Sequence, residues 1–120
     1  MKPIDTKTHG YIDYVMGILL VIVPYILNFN LSAIESKIFY VLGVTDVLYS
    51  LLTRYELGLI KMIPMKVHIM LDILSGVLLA ASPWLFGFAN TVYIPHLILG
   101  LVEIGAAVMT NSKSKADYLN

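Results

Sequence analysis

HIMLDILSGVLLAASPW, residues 68–84, decides the fold. It is apolar almost throughout, yet His68, Asp72 and Gly76 stand at steps of four and the run ends in Pro83-Trp84. Steps of four place residues on one face of a helix. The stretch HGYIDYVMGILLVIVPY, residues 9–25, has the same layout. His9, Asp13, Gly17, Pro24 and Tyr25 correspond to His68, Asp72, Gly76, Pro83 and Trp84 at one constant offset, 59 residues from His9 to His68. The chain therefore reads as a duplication, and each copy opens with an apolar helix that carries a polar stripe.

The composition sets the surroundings of these helices. Hydrophobic residues make up 58% of the 120 residues and charged ones 13%, about half the share usual in a soluble domain. Mean hydropathy is +0.81. A soluble bundle needs a polar face on every helix, and too few polar residues are present to supply four. Four apolar segments, at residues 8–29, 36–54, 65–88 and 92–111, each approach the ~20 residues that cross a ~30 Å hydrocarbon core. In lipid they are expected to be helices, which satisfy their own backbone groups. The expectation is an all-α, polytopic membrane four-helix bundle. The first apolar segment contains Asp13 and lacks a small-residue cleavage site, so it reads as a retained span and not a signal peptide.

Seven of the eight basic residues (Lys2, Lys7, Arg54, Lys61, Lys66, Lys113 and Lys115) fall at the termini or in the middle loop, and Lys37 alone lies on the other side. The positive-inside rule then puts both termini in the cytoplasm. Aromatic residues such as Tyr25, Tyr40, Trp84 and Tyr93 gather at the opposite face, as an interfacial belt does. The formal net charge of zero gives no basic surface for nucleic acid. With no cysteine, disulfides and thiolate ligands are excluded.

The second helix of each copy also matches, with an offset of 57 from Asp46 to Glu103. Phe39, Gly43, Asp46, Ser50 and Thr53 correspond to His96, Gly100, Glu103, Ala107 and Thr110, again one helical stripe. Each copy is thus a helical hairpin, over about residues 8–54 and 65–111, followed by a short cytoplasmic tail at 112–120. Two spans per copy give both copies the same orientation, so the symmetry is a pseudo-twofold along the membrane normal. Gly17, Gly43, Gly76 and Gly100 are the small residues that let membrane helices approach. Pro24 and Pro83 are expected to bend or end their helices, or Ser82 to cap a fresh turn started by Pro83. His96, paired with Phe39, reads as an interfacial histidine far from the other two.

ASPWLFGF at residues 81–88, preceded by the His-Asp-Gly steps of four, resembles the SPW-repeat family of small bacterial integral membrane proteins. The first copy departs from that motif with Val23-Pro24-Tyr25. The resemblance implies a fold and a membrane location and carries no activity with it.

Function must come from the polar residues inside the spans. His9, Asp13, Asp46, His68, Asp72 and Glu103 are expected to form one inward-facing cluster, because a carboxylate in a span costs roughly 2.5–3.5 kcal/mol on insertion scales and seeks a partner. Three readings are open. The six residues offer two imidazoles and four carboxylates for one or two divalent metals, a ligand set suited to zinc, iron or manganese. Alternatively the carboxylates and histidines belong to a proton- or cation-linked transport component. In the third reading they are only a polar network holding a scaffold or accessory protein together. No phosphate loop, nucleophile elbow or dinucleotide fingerprint indicates an enzyme. The partners are the lipid bilayer and, as candidates, a second copy of the chain or another membrane subunit.

Overall fold

The computed structural model describes residues 2–112. The tail expected at 112–120, with Lys113 and Lys115, lies outside the described residues apart from its first position. Four helices follow in order: α1 Thr6–Ile26, α2 Ile34–Leu51, α3 Met65–Leu85 and α4 Ile94–Val108. Among the described residues there is no strand. α1 pairs with α2 and α3 with α4, and α2 packs on α3 across the middle. Helix α1 starts where the Asp5 carboxylate accepts the Thr8 N–H at 2.7 Å, a side-chain N-cap.

The prolines do not break their helices. Pro24 and Pro83 lie inside α1 and α3, each two residues before the helix ends. Their carbonyls accept the N–H of Phe29 and of Phe88, both at 2.8 Å. Asn28 (φ 58°) and Gly87 (φ 77°) take the left-handed conformation just past the two helix ends, as a Schellman cap requires. Ser82 does not cap a new turn. Its hydroxyl donates back to the Leu79 carbonyl at 2.7 Å, so α3 runs through it.

The duplication is visible bond by bond. Ile63 N donates to Leu52 O at 2.7 Å, and Ile4 N to Met109 O at 3.1 Å. Arg54 N donates to Ile63 O at 2.7 Å, and Asn111 N to Ile4 O at 3.1 Å. The start of each copy is therefore clipped to the end of the other by equivalent bonds. Inside each hairpin the paired glycines put backbone against backbone. A Cβ on Gly43 would lie 2.7 Å from Gly17 O, and one on Gly100 would lie 2.6 Å from Gly76 O.

Polarity is inside out. Val15, Ile18, Val41, Leu48, Met70, Leu74 and Leu101 are all more than half exposed. His9, Asp13, Asp46, His68, Asp72 and Glu103 are all buried. A soluble protein does the reverse, and an apolar exterior of this extent needs a nonaqueous partner. α1 and α3, at 21 residues each, are long and apolar enough to cross a membrane. The other two are less than full spans. α2 has 18 residues but carries Glu35, Lys37 and Asp46, and α4 has 15. At 1.5 Å per residue α4 is about 22 Å long. It starts late because Tyr93 is its N-cap and Pro95 stands in its first turn.

Candidate functional site

At the clipped end of the bundle the two His-Asp stripes face each other. His9 and Asp13 sit one turn apart on α1, and His68 and Asp72 occupy the same positions on α3. Each histidine meets both aspartates. His9 Nε2 lies 2.7 Å from Asp72 Oδ2 and 3.0 Å from Asp13 Oδ1. His68 Nε2 lies 2.8 Å from Asp13 Oδ2 and 3.2 Å from Asp72 Oδ2. The His68 contacts are off the line of a ring N–H, so they are ionic and not aligned hydrogen bonds. The imidazoles stand edge to face at 81°, with centroids 5.4 Å apart. One ligating atom from each of the four residues falls within 4.8 Å of all the others.

The far side of each ring is fixed. His9 Nδ1 is 2.7 Å from Thr110 Oγ1, and His68 Nδ1 is 2.7 Å from Thr53 Oγ1. Each threonine hydroxyl already donates to the carbonyl one turn back, Thr110 to Ala106 O at 2.6 Å and Thr53 to Tyr49 O at 2.7 Å. A hydroxyl has one proton to give. Each Oγ1 then accepts from Nδ1–H, which leaves Nε2 as the ring atom that faces the carboxylates, with a second hydrogen toward them while no metal is bound. This is the outer-shell arrangement that orients ligating histidines.

Two tyrosines complete the aspartates. Tyr49 donates to Asp72 Oδ1 at 2.5 Å and Tyr55 to Asp13 Oδ2 at 2.9 Å. The repeat marks neither, because they have no counterparts in the other copy: Ala106 stands where symmetry would put a second Tyr49. Tyr55, in the loop between α2 and α3, turns inward and is buried. Burial beside Asp13 raises its pKa well above the ordinary phenol value, so it is a hydrogen-bond donor at any physiological pH. Leu59, Ile60 and Met62 of the same loop are exposed.

The expected cluster of six resolves into a quartet and a flanking pair. Asp46 and Glu103 are buried, at 3% and 8% exposure, but are not among the four residues whose ligating atoms converge. They line a small enclosed chamber of about 10 Å³ together with His9, Asp13, Asp72 and Ala106. Asp46 receives a long bond from Ser50 Oγ at 3.4 Å. Among the described residues neither Glu103 oxygen has a hydrogen-bond partner.

His96 is at the opposite end, as expected, but is not interfacial. It is fully buried against Phe29, Phe39 and Phe88 and bonds the Glu35 carbonyl at 2.9 Å. The Phe39 at the equivalent place in the first copy packs 4.2 Å from it, centroid to centroid, so the mismatch between copies is itself a packed contact.

The model of the SPW repeat domain matches residues 7–110. The chain belongs to this family. As an SPW-repeat protein with an apolar exterior it is a membrane protein. No curated protein and no solved structure is significantly similar to it. The role of the quartet must therefore be argued from its chemistry.

Proposed function

We propose that this SPW-repeat protein is a divalent-metal-binding protein of the bacterial inner membrane. The single transmembrane domain consists of hairpins at about 8–54 and 65–111, both termini are cytoplasmic, and the metal site lies toward that side. His9, Asp13, His68 and Asp72 supply the ligands. One observation carries the reading: the threonine-fixed tautomers turn both Nε2 atoms onto two carboxylates. Two imidazoles and two carboxylates suit zinc, iron or manganese. Zinc bonds of about 2.0–2.1 Å to such ligands imply donor atoms about 3.3 Å apart in a tetrahedron. The His–Asp contacts of 2.7–3.2 Å would open by about 0.1–0.6 Å, and separations within the quartet of up to 4.8 Å would close.

Charge supports the same reading. A dication against two aspartates and two neutral imidazoles leaves no net charge, which a buried site in lipid requires. Elemental analysis of protein purified in mild detergent without chelators tests it. The expected result is at least one zinc, iron or manganese per chain, lost in Asp72→Asn and in His9→Gln. Protein without metal that also fails to take up added ions would refute metal binding. A pH-dependent flux in liposomes would then assign the quartet to proton or cation movement.

A further inference from the structure

The chamber beside the quartet lies where the two copies differ around the aspartates. On the α2–α3 side Tyr49 fills the space next to Asp72. On the α4–α1 side its counterpart is Ala106, and the space next to Asp13 stays open, bounded by Ile12 and Met16. Its volume of about 10 Å³ is close to the least that holds a water molecule, and a bare divalent ion is smaller than a water. Glu103 brings two buried oxygens to this chamber that bond nothing among the described residues. Asp46 brings a third and fourth with one weak bond from Ser50.

An acidic residue in lipid without a partner is costly, and here two sit side by side. The polar network of the quartet does not use them, because the quartet and the tyrosines close without either. With one dication in the quartet, Asp13 and Asp72 are already balanced. Asp46 and Glu103 add two negative charges, which one more dication balances. Asp13 and Asp72 line both the quartet and the chamber, so they stand between the two positions.

We infer that the chamber lined by Asp46 and Glu103 is a second divalent-cation site, which makes the quartet one half of a dinuclear centre joined through Asp13 and Asp72. This rests on the metal-binding reading of the quartet. The second ion enters along the α1–α4 seam at Ile12 and Ala106, both only half-buried. The missing tyrosine is thus what makes the second site possible.

The test is a titration of metal-free protein in mild detergent with Mn²⁺, counted by equilibrium dialysis and read by electron paramagnetic resonance. Two Mn²⁺ per chain are expected, with the six-line signal of isolated ions replaced by that of a coupled pair, since two-metal sites hold their ions about 3.5–4 Å apart. Glu103→Gln removes a ligand and Ala106→Leu fills the chamber. Each is expected to bind one Mn²⁺ with a six-line signal, while Asp72→Asn loses both. One Mn²⁺ per chain in the wild type, lost in Asp72→Asn, overturns the second site and leaves the quartet reading intact. Two ions that stay uncoupled, or that persist in both chamber variants, also overturn it. No Mn²⁺ in the wild type overturns both readings. If the variants lose their helical circular dichroism, the wild-type count and coupling decide alone.

Discussion

Thr110→Val and Thr53→Val should weaken metal binding without touching a ligand. Valine keeps the shape of threonine and removes the hydroxyl. In the native protein that hydroxyl donates to a helix carbonyl and accepts Nδ1–H of a buried histidine, at 2.6–2.7 Å in every case. Without it Nδ1–H is stranded in an apolar setting, at a cost of about 1–3 kcal/mol. The neutral ring that a metal needs then favours its one hydrogen on Nε2, facing the carboxylates, and Nε2 has no lone pair for a metal. Loss of such outer-shell partners typically costs 10–100-fold in affinity, which is about 1.4–2.7 kcal/mol. The two bonds are equivalent in the two copies, so both variants should fall by similar factors. Thr110→Ser and Thr53→Ser, which keep the hydroxyl, should stay near wild type. The assay is competition with a chromophoric chelator, alongside ¹⁵N spectra of labelled histidine to report the tautomer. Valine variants with unchanged affinity and an unchanged Nδ1–H tautomer would refute the reasoning, because the threonines would then not set the ring state.

Three further outcomes follow from other parts of the molecule. Gly100→Ala puts a methyl 2.6 Å from two backbone atoms, whereas Gly105→Ala meets nothing within 4 Å; overpacking of about 1–3 kcal/mol should destabilise the first, and helix propensity of up to about 1 kcal/mol should stabilise the second, as read by reversible unfolding in mixed detergent. Ion uptake by the quartet should release protons, because each Nε2 holds a hydrogen toward the carboxylates until a metal takes its place; affinity should therefore fall as pH falls, and calorimetry in buffers of different ionisation heats counts the protons. Asp5→Ala should lower the melting temperature and Asp5→Asn should largely keep it, since asparagine also caps. The Thr8 N–H holds the Asp5 carboxyl below its ordinary 3.8, so the cap's contribution is full above that value and is lost as pH drops through the lowered one.

The sequence carried the frame of the site because the frame is periodic. Steps of four put His9 with Asp13 and His68 with Asp72, and the constant offset required the two pairs to be related by symmetry. The burial of Asp46 and Glu103 was legible for the same reason, since an acid in an apolar helix must turn inward. Periodicity cannot register depth to within a turn, so the division into a quartet and a flanking pair was not. Nor were the tyrosine donors: Tyr49 and Tyr55 belong to one copy only and have no repeat to mark them. Thr53 and Thr110 did lie on the shared stripe, seven residues beyond Asp46 and Glu103, but their role depends on a hydroxyl proton committed elsewhere. The short α4 turned on Pro95, whose missing N–H suits the first turn of a helix, so the span expected from residue 92 begins two residues later.

A purely structural role for these residues makes a different prediction at Glu103. Polar bonds between membrane helices average about 0.6 kcal/mol where measured, and the quartet, with its ionic contacts and two tyrosine donors, is a reasonable network of that kind. Glu103 takes no part in it. Both its oxygens are buried and without a bond among the described residues, so as glue it contributes nothing and leaves polar atoms unsatisfied at about 1–3 kcal/mol. Glu103→Met keeps the approximate volume and removes those atoms. The metal-free variant should therefore be more stable than the wild type by about 1–3 kcal/mol, while the wild type should regain the difference when Mn²⁺ is added and the variant should not. Residues kept against stability are usually kept for function. Unfolding measured with and without Mn²⁺ distinguishes the cases. A Glu103→Met variant that is less stable than wild type without metal would mean that Glu103 holds the helices together after all, and the argument that its carboxylate waits for a cation would fail.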